Sequence, residues 1–167
     1  IFVNPTQFAA NEDFSKYPRT LDADVALCND HGVDAVFAPS VDDIYPPDAP
    51  IRQYEPGHLG SELEGKTRPG HFAGVLTVVS RLLQLTAADV TCFGEKDYQQ
   101  FVLVQRLNEL EASLANVRFI GVPTARDSDG LALSSRNRYL STLEREQARA
   151  IPQCIQRVQQ ACADGFS

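Results

Sequence analysis

Apolar residues along the chain gather in short runs separated by charged and turn-forming stretches, and the spacing within each run predicts its structure. Residues 1–4 (Ile-Phe-Val-Asn) read as a buried strand, ended by Pro5 because proline removes a ladder donor. Over residues 20–31, Leu21, Val25 and Cys28 recur at spacings of four and three, which predicts a helix stopped by Gly32. Residues 34–39 read as a second short buried strand, 45–50 as an irregular proline-rich loop, and 51–55 as a short exposed strand. The stretch 57–70, rich in glycine and charge, reads as a mobile loop. Residues 72–85 carry Val75, Val78, Val79, Leu82 and Leu83 and predict a buried helix. A strand over 89–93, an amphipathic helix over 97–114 and a strand over 117–122 follow. After a loop of small and polar residues, a final helix covers 142–163.

Strands alternating with helical segments imply an α/β fold with a mostly parallel sheet and crossover helices. Ligands of such sheets bind beyond the carboxyl ends of the strands. The loops after Asn4, Phe93 and Val122 are therefore expected on one edge.

Composition changes this picture little. With 43% hydrophobic and 22% charged residues, the 167-residue chain is ordinary for a globular protein. No run approaches a membrane span, and no leader pattern stands at the start. A net charge of -7 argues against a general nucleic-acid binder but not against local binding of a phosphate. Cys28, Cys92, Cys154 and Cys162 fit no zinc or CxxC spacing and read as reduced structural thiols. The apolar first residues and the absence of any methionine suggest an internal fragment with upstream sequence missing.

Three segments could carry chemistry. Asn4-Pro5-Thr6-Gln7-Phe8 follows the first expected strand, so its amides either face a ligand or close a turn on the backbone. In Gly94-Glu95-Lys96-Asp97-Tyr98-Gln99-Gln100, Gly94 permits a tight turn and a close backbone approach, and Lys96 puts a cation near a helix N-terminus that already favours phosphate. Asp97 with Gln100 also fits a capping box, so a purely structural role stays open. Leu133-Ser134-Ser135-Arg136-Asn137-Arg138 combines hydroxyls with guanidinium forks that match phosphate oxygens. It equally reads as an exposed loop before a helix capped by Ser141 and Glu144. Arg68 and His71 either contact a ligand or mark a helix start, whereas His31 and His58 read as surface residues. No Walker loop, catalytic triad, carboxylate pair or metal cluster is present, so the chemistry on offer is anion binding and positioning.

Together the segments Phe2-Val3-Asn4-Pro5-Thr6-Gln7-Phe8, Tyr17-Pro18-Arg19-Thr20, Arg68-Pro69-Gly70-His71-Phe72-Ala73-Gly74-Val75, Phe93-Gly94-Glu95-Lys96-Asp97-Tyr98-Gln99-Gln100, Gly121-Val122-Pro123-Thr124 and the run from Asp129 to Ser141 resemble the pantothenate synthetase family, in its order. The resemblance covers about residues 1–141 and is looser beyond. It implies a Rossmann-like parallel sheet of the nucleotidyltransferase superfamily. Residues 1–140 would form the ATP- and pantoate-binding domain, and 141–167 the start of a C-terminal domain. The implied reaction joins pantoate to β-alanine through a pantoyl-adenylate, with ATP and Mg²⁺, releasing AMP and pyrophosphate. The implied protein is a cytoplasmic homodimer with no nucleic-acid or membrane partner.

By motif position, Gln7 and Gln100 would hold pantoate, with Gln7 also near β-alanine. Gly94, Glu95, Lys96 and Asp97 would form one wall of the ATP site, Gly94 and Asp97 toward ribose and Lys96 toward the phosphates. Ala125 would meet adenine through its backbone, and Leu133 would also belong to the ATP site. Ser134, Ser135 and Arg136 would be its phosphate loop, and with Lys96 the catalytic group. Leu133 stands where many members carry Met. The family's HxGH motif, upstream of its first strand here, does not occur in this chain, and the resemblance expects it from a preceding segment. Competing readings are a nucleotidyltransferase with another acceptor and a catalytically incomplete nucleotide-binding fragment.

Overall fold

The computed structural model describes residues 1–8, 12 and 14–165. Its elements are α1 (Leu21–Asp30), α2 (Val41–Ile44), α3 (Glu64–Thr67), α4 (His71–Thr86), β1 (Val90–Gly94), α5 (Tyr98–Gln105), α6 (Leu107–Leu110), β2 (Arg118–Val122), α7 (Thr142–Ala148) and α8 (Ala150–Ala163), with short 3-10 turns between several of them. β1 and β2 pair in a two-stranded sheet, and the helices between them form the crossover of a parallel α/β arrangement. The chain divides into two compact units, one of residues 1–93 and 97–120, the other of residues 94–96 and 121–167.

The first unit is organised by α4. Its Phe72, Val75, Leu76 and Leu83 pack with Leu103 and Val104 of α5, Leu107 of α6, and Tyr54, Leu114 and Val117. Phe93 stacks on Phe119 at 6.0 Å between ring centroids, joining the two strands through their side chains. The Tyr54 hydroxyl is paired with Ser80 Oγ and donates to Glu111 Oε2, both at 2.8 Å. That donated bond is the main cause that holds the Glu111 carboxyl below its ordinary range, while burial pushes the Tyr54 hydroxyl up.

Several expectations need correction. Residues 1–4, 34–39 and 51–55 are not strands among the described residues. Apolar character made them read as strands, but a strand also needs a ladder. The first two are linked by the Ile1 amine donating to Phe37 O, without a repeating pattern. Segment 51–55 is held instead by side chains, through Tyr54 and through Arg52 on Glu111. The expected helix over 97–114 is broken at Arg106, which donates to Pro56 O at 2.7 Å, and it ends where Glu111 turns extended. The expected helix over 142–163 breaks at Arg149, between α7 and α8. Pro152 is the cause: it has no N–H for the carbonyl of Ala148, and its ring crowds that carbonyl. On α1 the apolar spacing formed a helix but no buried face, since none of its residues is buried.

The stretch 57–70 is more ordered than its composition suggested. It contains α3 and a 3-10 turn, His58–Ser61, and the Gln99 side chain fastens it. Gln99 Nε2 donates to Leu59 O and Glu62 O at 2.8 and 2.9 Å, and its Oε1 accepts from Glu64 N. Gly65 is buried so closely that a Cβ there would stand 2.0 Å from Gly60 O. All four cysteines are free, and no helix among the described residues is long and apolar enough to cross a membrane.

Candidate functional site

In the first unit, Pro5–Gln7 form a 3-10 turn whose cap is the buried Asn4. Asn4 Oδ1 accepts from Thr6 N (3.3 Å), Thr6 Oγ1 (3.0 Å) and Tyr45 OH (2.8 Å). Its Nδ2 donates to Gly74 O (3.3 Å) and to Gln7 Oε1 (3.0 Å), which leaves the other end of the Gln7 amide as a donor. Asn4 is thus a turn residue, and Gln7 is aimed by it. The main chain of Gln7 is gripped as well: its carbonyl faces His71 Nδ1 at 2.9 Å and accepts from Arg68 Nη2 at 3.3 Å.

Arg68 is the hub of this corner. Its fork binds Glu12 at 2.6 and 2.8 Å, and Nη1 reaches Glu64 at 2.6 Å. The Glu12 carboxylate bond is the chief reason the guanidinium is held still more firmly in its charged form. Arg68 and His71 therefore support the Gln7 turn through the main chain, a function their spacing alone did not distinguish from ligand contact. Gln7, Arg68 and His71 line a small cavity of about 100 Å³. Gly74 on α4 allows the turn to approach, since a Cβ there would lie 2.8 Å from Thr6 O. Gly74→Ala should displace the turn and cost about 1–3 kcal/mol, readable as a lower urea midpoint at unchanged m. An unchanged midpoint would show that the turn is not seated on α4. Gln100 stands in the first helical turns of α5, half-buried, and α4 packs against both α5 and the Gln7 turn.

The second unit contains the larger cavity, about 530 Å³. Glu95, Lys96 and Ser134 supply polar lining, and Leu131, Ile151 and Ile155 supply apolar lining. The combination of apolar wall and a cation beside a hydroxyl suits a ligand with a flat apolar part and an anionic tail. Around it, Leu133 N donates to Ala125 O at 2.9 Å, so two of the expected site residues are joined by backbone. Arg126 and Ala132 form an antiparallel bridge, making residues 125–133 a small hairpin turned by Asp129-Gly130. Gly130 has a φ of +86°, which that turn requires and which glycine adopts freely.

Ser134 begins the 3-10 turn Ser135–Tyr139, its side chain accepting from Arg136 N at 3.3 Å. Asn137 Nδ2 donates to Ala132 O at 3.0 Å, binding that turn to the hairpin. Ser135 and Arg136 are exposed on it and do not line the cavity. The Ser141–Glu144 capping box forms as expected. Its counterpart at Asp97 does not, because a 3-10 turn, Glu95–Asp97, precedes α5 and Asp97 makes no side-chain cap bond to that helix. Gly94 has neither a positive φ nor a neighbour within 4 Å of a Cβ, so the chain's own fold does not demand glycine there.

Lys96, Glu95 and Ser134 are therefore brought around one cavity, with Ala125 and Leu133 on its hairpin, while Asp97, Gln7 and Gln100 belong to the first unit. The sequence reading missed Asn137, Arg126 and the hairpin, although the Asp-Gly pair was a visible turn signal. It also missed Glu12 and Gln99, which left no local signal because their partners are distant in sequence. Among the described residues no group of three or more His, Cys, Asp or Glu could hold a metal ion.

The pantoate-beta-alanine ligase family model matches residues 1–166. The chain is 52% identical over 165 residues to pantothenate synthetase of Nocardioides sp., covering 99% of this chain and 49% of that protein. It is 57% identical over 152 residues to the Nocardia farcinica pantothenate synthetase, covering 90% and 46%. Among solved structures, pantothenate synthetase from Thermus thermophilus superposes with a TM-score of 0.91 at 45% identity, over 99% of this chain and 59% of that one. The Francisella tularensis ligase, solved with β-γ ATP and β-alanine, gives 0.82 at 44% identity, over 92% and 58%. The chain spans about half the length of the curated relatives it matches. On a match that runs through both units, the chain belongs to the pantoate-beta-alanine ligase family.

Proposed function

We propose that this chain supplies the nucleotide- and pantoate-binding part of an ATP-dependent ligase that condenses pantoate with β-alanine. The carrying observation is the cavity walled by Lys96 and Ser134 beside an apolar wall, in a family whose Francisella member was solved with β-γ ATP and β-alanine. In the proposed reaction a pantoate carboxylate oxygen bonds to the α-phosphorus of ATP, and the bond to pyrophosphate breaks. The amine of β-alanine then attacks the acyl carbon, and AMP leaves with the electron pair of the acyl–oxygen bond.

The residues of this chain bind, orient and neutralise. Lys96, Ser134, Ser135 and Arg136 take the phosphates. Ala125 meets adenine through its backbone, Gly94 and Asp97 face the ribose side, and Glu95 and Leu133 belong to the ATP site. Gln7 and Gln100 hold pantoate, Gln7 through the amide end that Asn4 leaves as a donor. Among the described residues, no group of His, Cys, Asp or Glu fits a protein-held magnesium site. Mg²⁺ enters this reading only as the companion of the triphosphate, as is usual for a cation that keeps its waters and substrate phosphates. The same reading makes the enzyme a cytoplasmic homodimer; sedimentation at the mass of one chain would remove the dimer.

The test is pantoate-dependent exchange of labelled pyrophosphate into ATP. It is run on this chain and on the chain extended by the HxGH-bearing segment of a relative. Exchange that needs pantoate supports the ligase. Exchange indifferent to pantoate points to a nucleotidyltransferase with another acceptor. Absence of exchange from both polypeptides overturns the proposal.

A further inference from the structure

The hairpin 125–133 is tied to α7 through the side chain of Arg145, and the turn Ser135–Tyr139 is tied to that hairpin through Asn137. Arg145 Nε donates to Asp129 Oδ2 at 3.1 Å, and Nη2 donates to Asp127 Oδ2 at 2.7 Å. Nη2 also lies 3.0 Å from Asp129 Oδ2. The carboxylates are set for this by the turn itself: Asp129 Oδ1 accepts from Leu131 N, Asp127 N donates to Leu131 O, and Gly130 N donates to Asp127 O. The Leu131 amide first, and then Arg145, hold the Asp129 carboxyl below its ordinary range. Arg145 follows the phosphate-loop segment in the chain, and the two aspartates precede it. Residues 130–144 are thus a loop closed at its base by a guanidinium fork.

We propose that Arg145 is a positioning residue for the triphosphate: by clamping Asp127 and Asp129 it fixes where Ser134, Ser135 and Arg136 stand. The inference rests on the nucleotide reading of the cavity given above. The base of the hairpin does not depend on the clamp, because Ala125 O holds Leu133 N and Arg126 bridges Ala132 through backbone. Arg145 instead fixes the far end, where α7 leaves the turn. Its loss should spare contacts to a nucleoside and weaken those to phosphates. A lysine in its place keeps the charge but cannot fork between two carboxylates.

Titration of ATP and of adenosine into the unaltered chain and into Arg145→Met, Arg145→Lys and Asp127→Asn tests this. The expected result is an ATP Kd raised roughly tenfold or more in Arg145→Met, an intermediate rise in the other two, and an adenosine Kd within about twofold throughout. A parallel rise for both ligands, or none for either, overturns the proposal. An unaltered chain with no preference for ATP over adenosine would sink the nucleotide reading itself. Amide exchange then decides the clamp alone: the Asn137 N–H, bonded to Ser134 O, should lose protection in Arg145→Met while amides of α8 keep theirs. Unchanged protection at Asn137 overturns the clamp, and if Arg145→Met does not fold, Arg145→Lys carries the same comparison.

Discussion

Lys96→Ala is expected to slow pantoate-dependent pyrophosphate exchange by about 10²–10³-fold, in the chain extended by the HxGH-bearing segment of a relative. The size follows from position. Lys96 is exposed and lines the cavity together with Glu95, Arg126 and Ser134; on the proposed reading its cation would meet the phosphates where negative charge shifts toward the leaving pyrophosphate. A donor aimed at charge that develops in the transition state contributes about 3–4 kcal/mol where mutagenesis has removed one. Stability should change by less than about 0.5 kcal/mol, as for most exposed substitutions. Lys96→Arg should retain a measurable part of the exchange, because charge survives while reach and shape change. If exchange and stability fell together in Lys96→Ala, the lysine would be a structural residue, and the phosphate role would have to be withdrawn.

The largest effect on folding is expected at Phe72, where substitution by Ala should cost about 3–5 kcal/mol. Phe72 is 1% exposed on α4, in the cluster that joins α4 to α5 and α6. Its ring also lies where the tightly packed Gly65 approaches, 3.3 Å from the point a Cβ would occupy. Removing the ring leaves a cavity that neither Gly65 nor Gly60 has a side chain to fill. Total stabilities of about 5–15 kcal/mol make such a loss a large share of the whole. Urea unfolding would show it as a lower midpoint, with Leu27→Ala, at 60% exposure on α1, as the near-neutral control. A loss below about 1 kcal/mol at Phe72 would mean that α4 does not anchor the first unit.

Local pattern read well wherever local forces decided the outcome. The spacing of Val75, Val78, Val79, Leu82 and Leu83 marked α4, because a helix buried on most sides must be apolar at most positions. The Ser141–Glu144 pair marked the start of α7, because a capping box is closed within four residues. β1 and β2 were visible as short apolar runs at the expected places. Of the residues that the family motifs assign to the ATP site, Glu95, Lys96 and Ser134 line one cavity while Ser135 and Arg136 do not, and their roles there belong to the proposal above.

Elsewhere the outcome depended on partners far along the chain. Residues 1–4 and 34–39 look like strands by composition, yet a strand is a property of a pair, and no ladder forms there among the described residues. The stretch 57–70 looks loose, yet Gln99 orders it from a distance of several tens of residues and the buried Gly65 packs it against Gly60. Asp97 with Gln100 matches a capping box by spacing, but a preceding 3-10 turn takes that geometry away. Arg68 and His71 belong to a family segment in sequence, and only the folded chain shows that they grip the carbonyl of Gln7. Sequence by itself determined the α/β class, the buried helix, the Ser141–Glu144 cap and the residue types able to meet an anion. Tertiary structure decided which extended segments pair, where helices break, and which side chains support the site, because those choices are settled by hydrogen bonds and packing between residues that the chain brings together only when it folds.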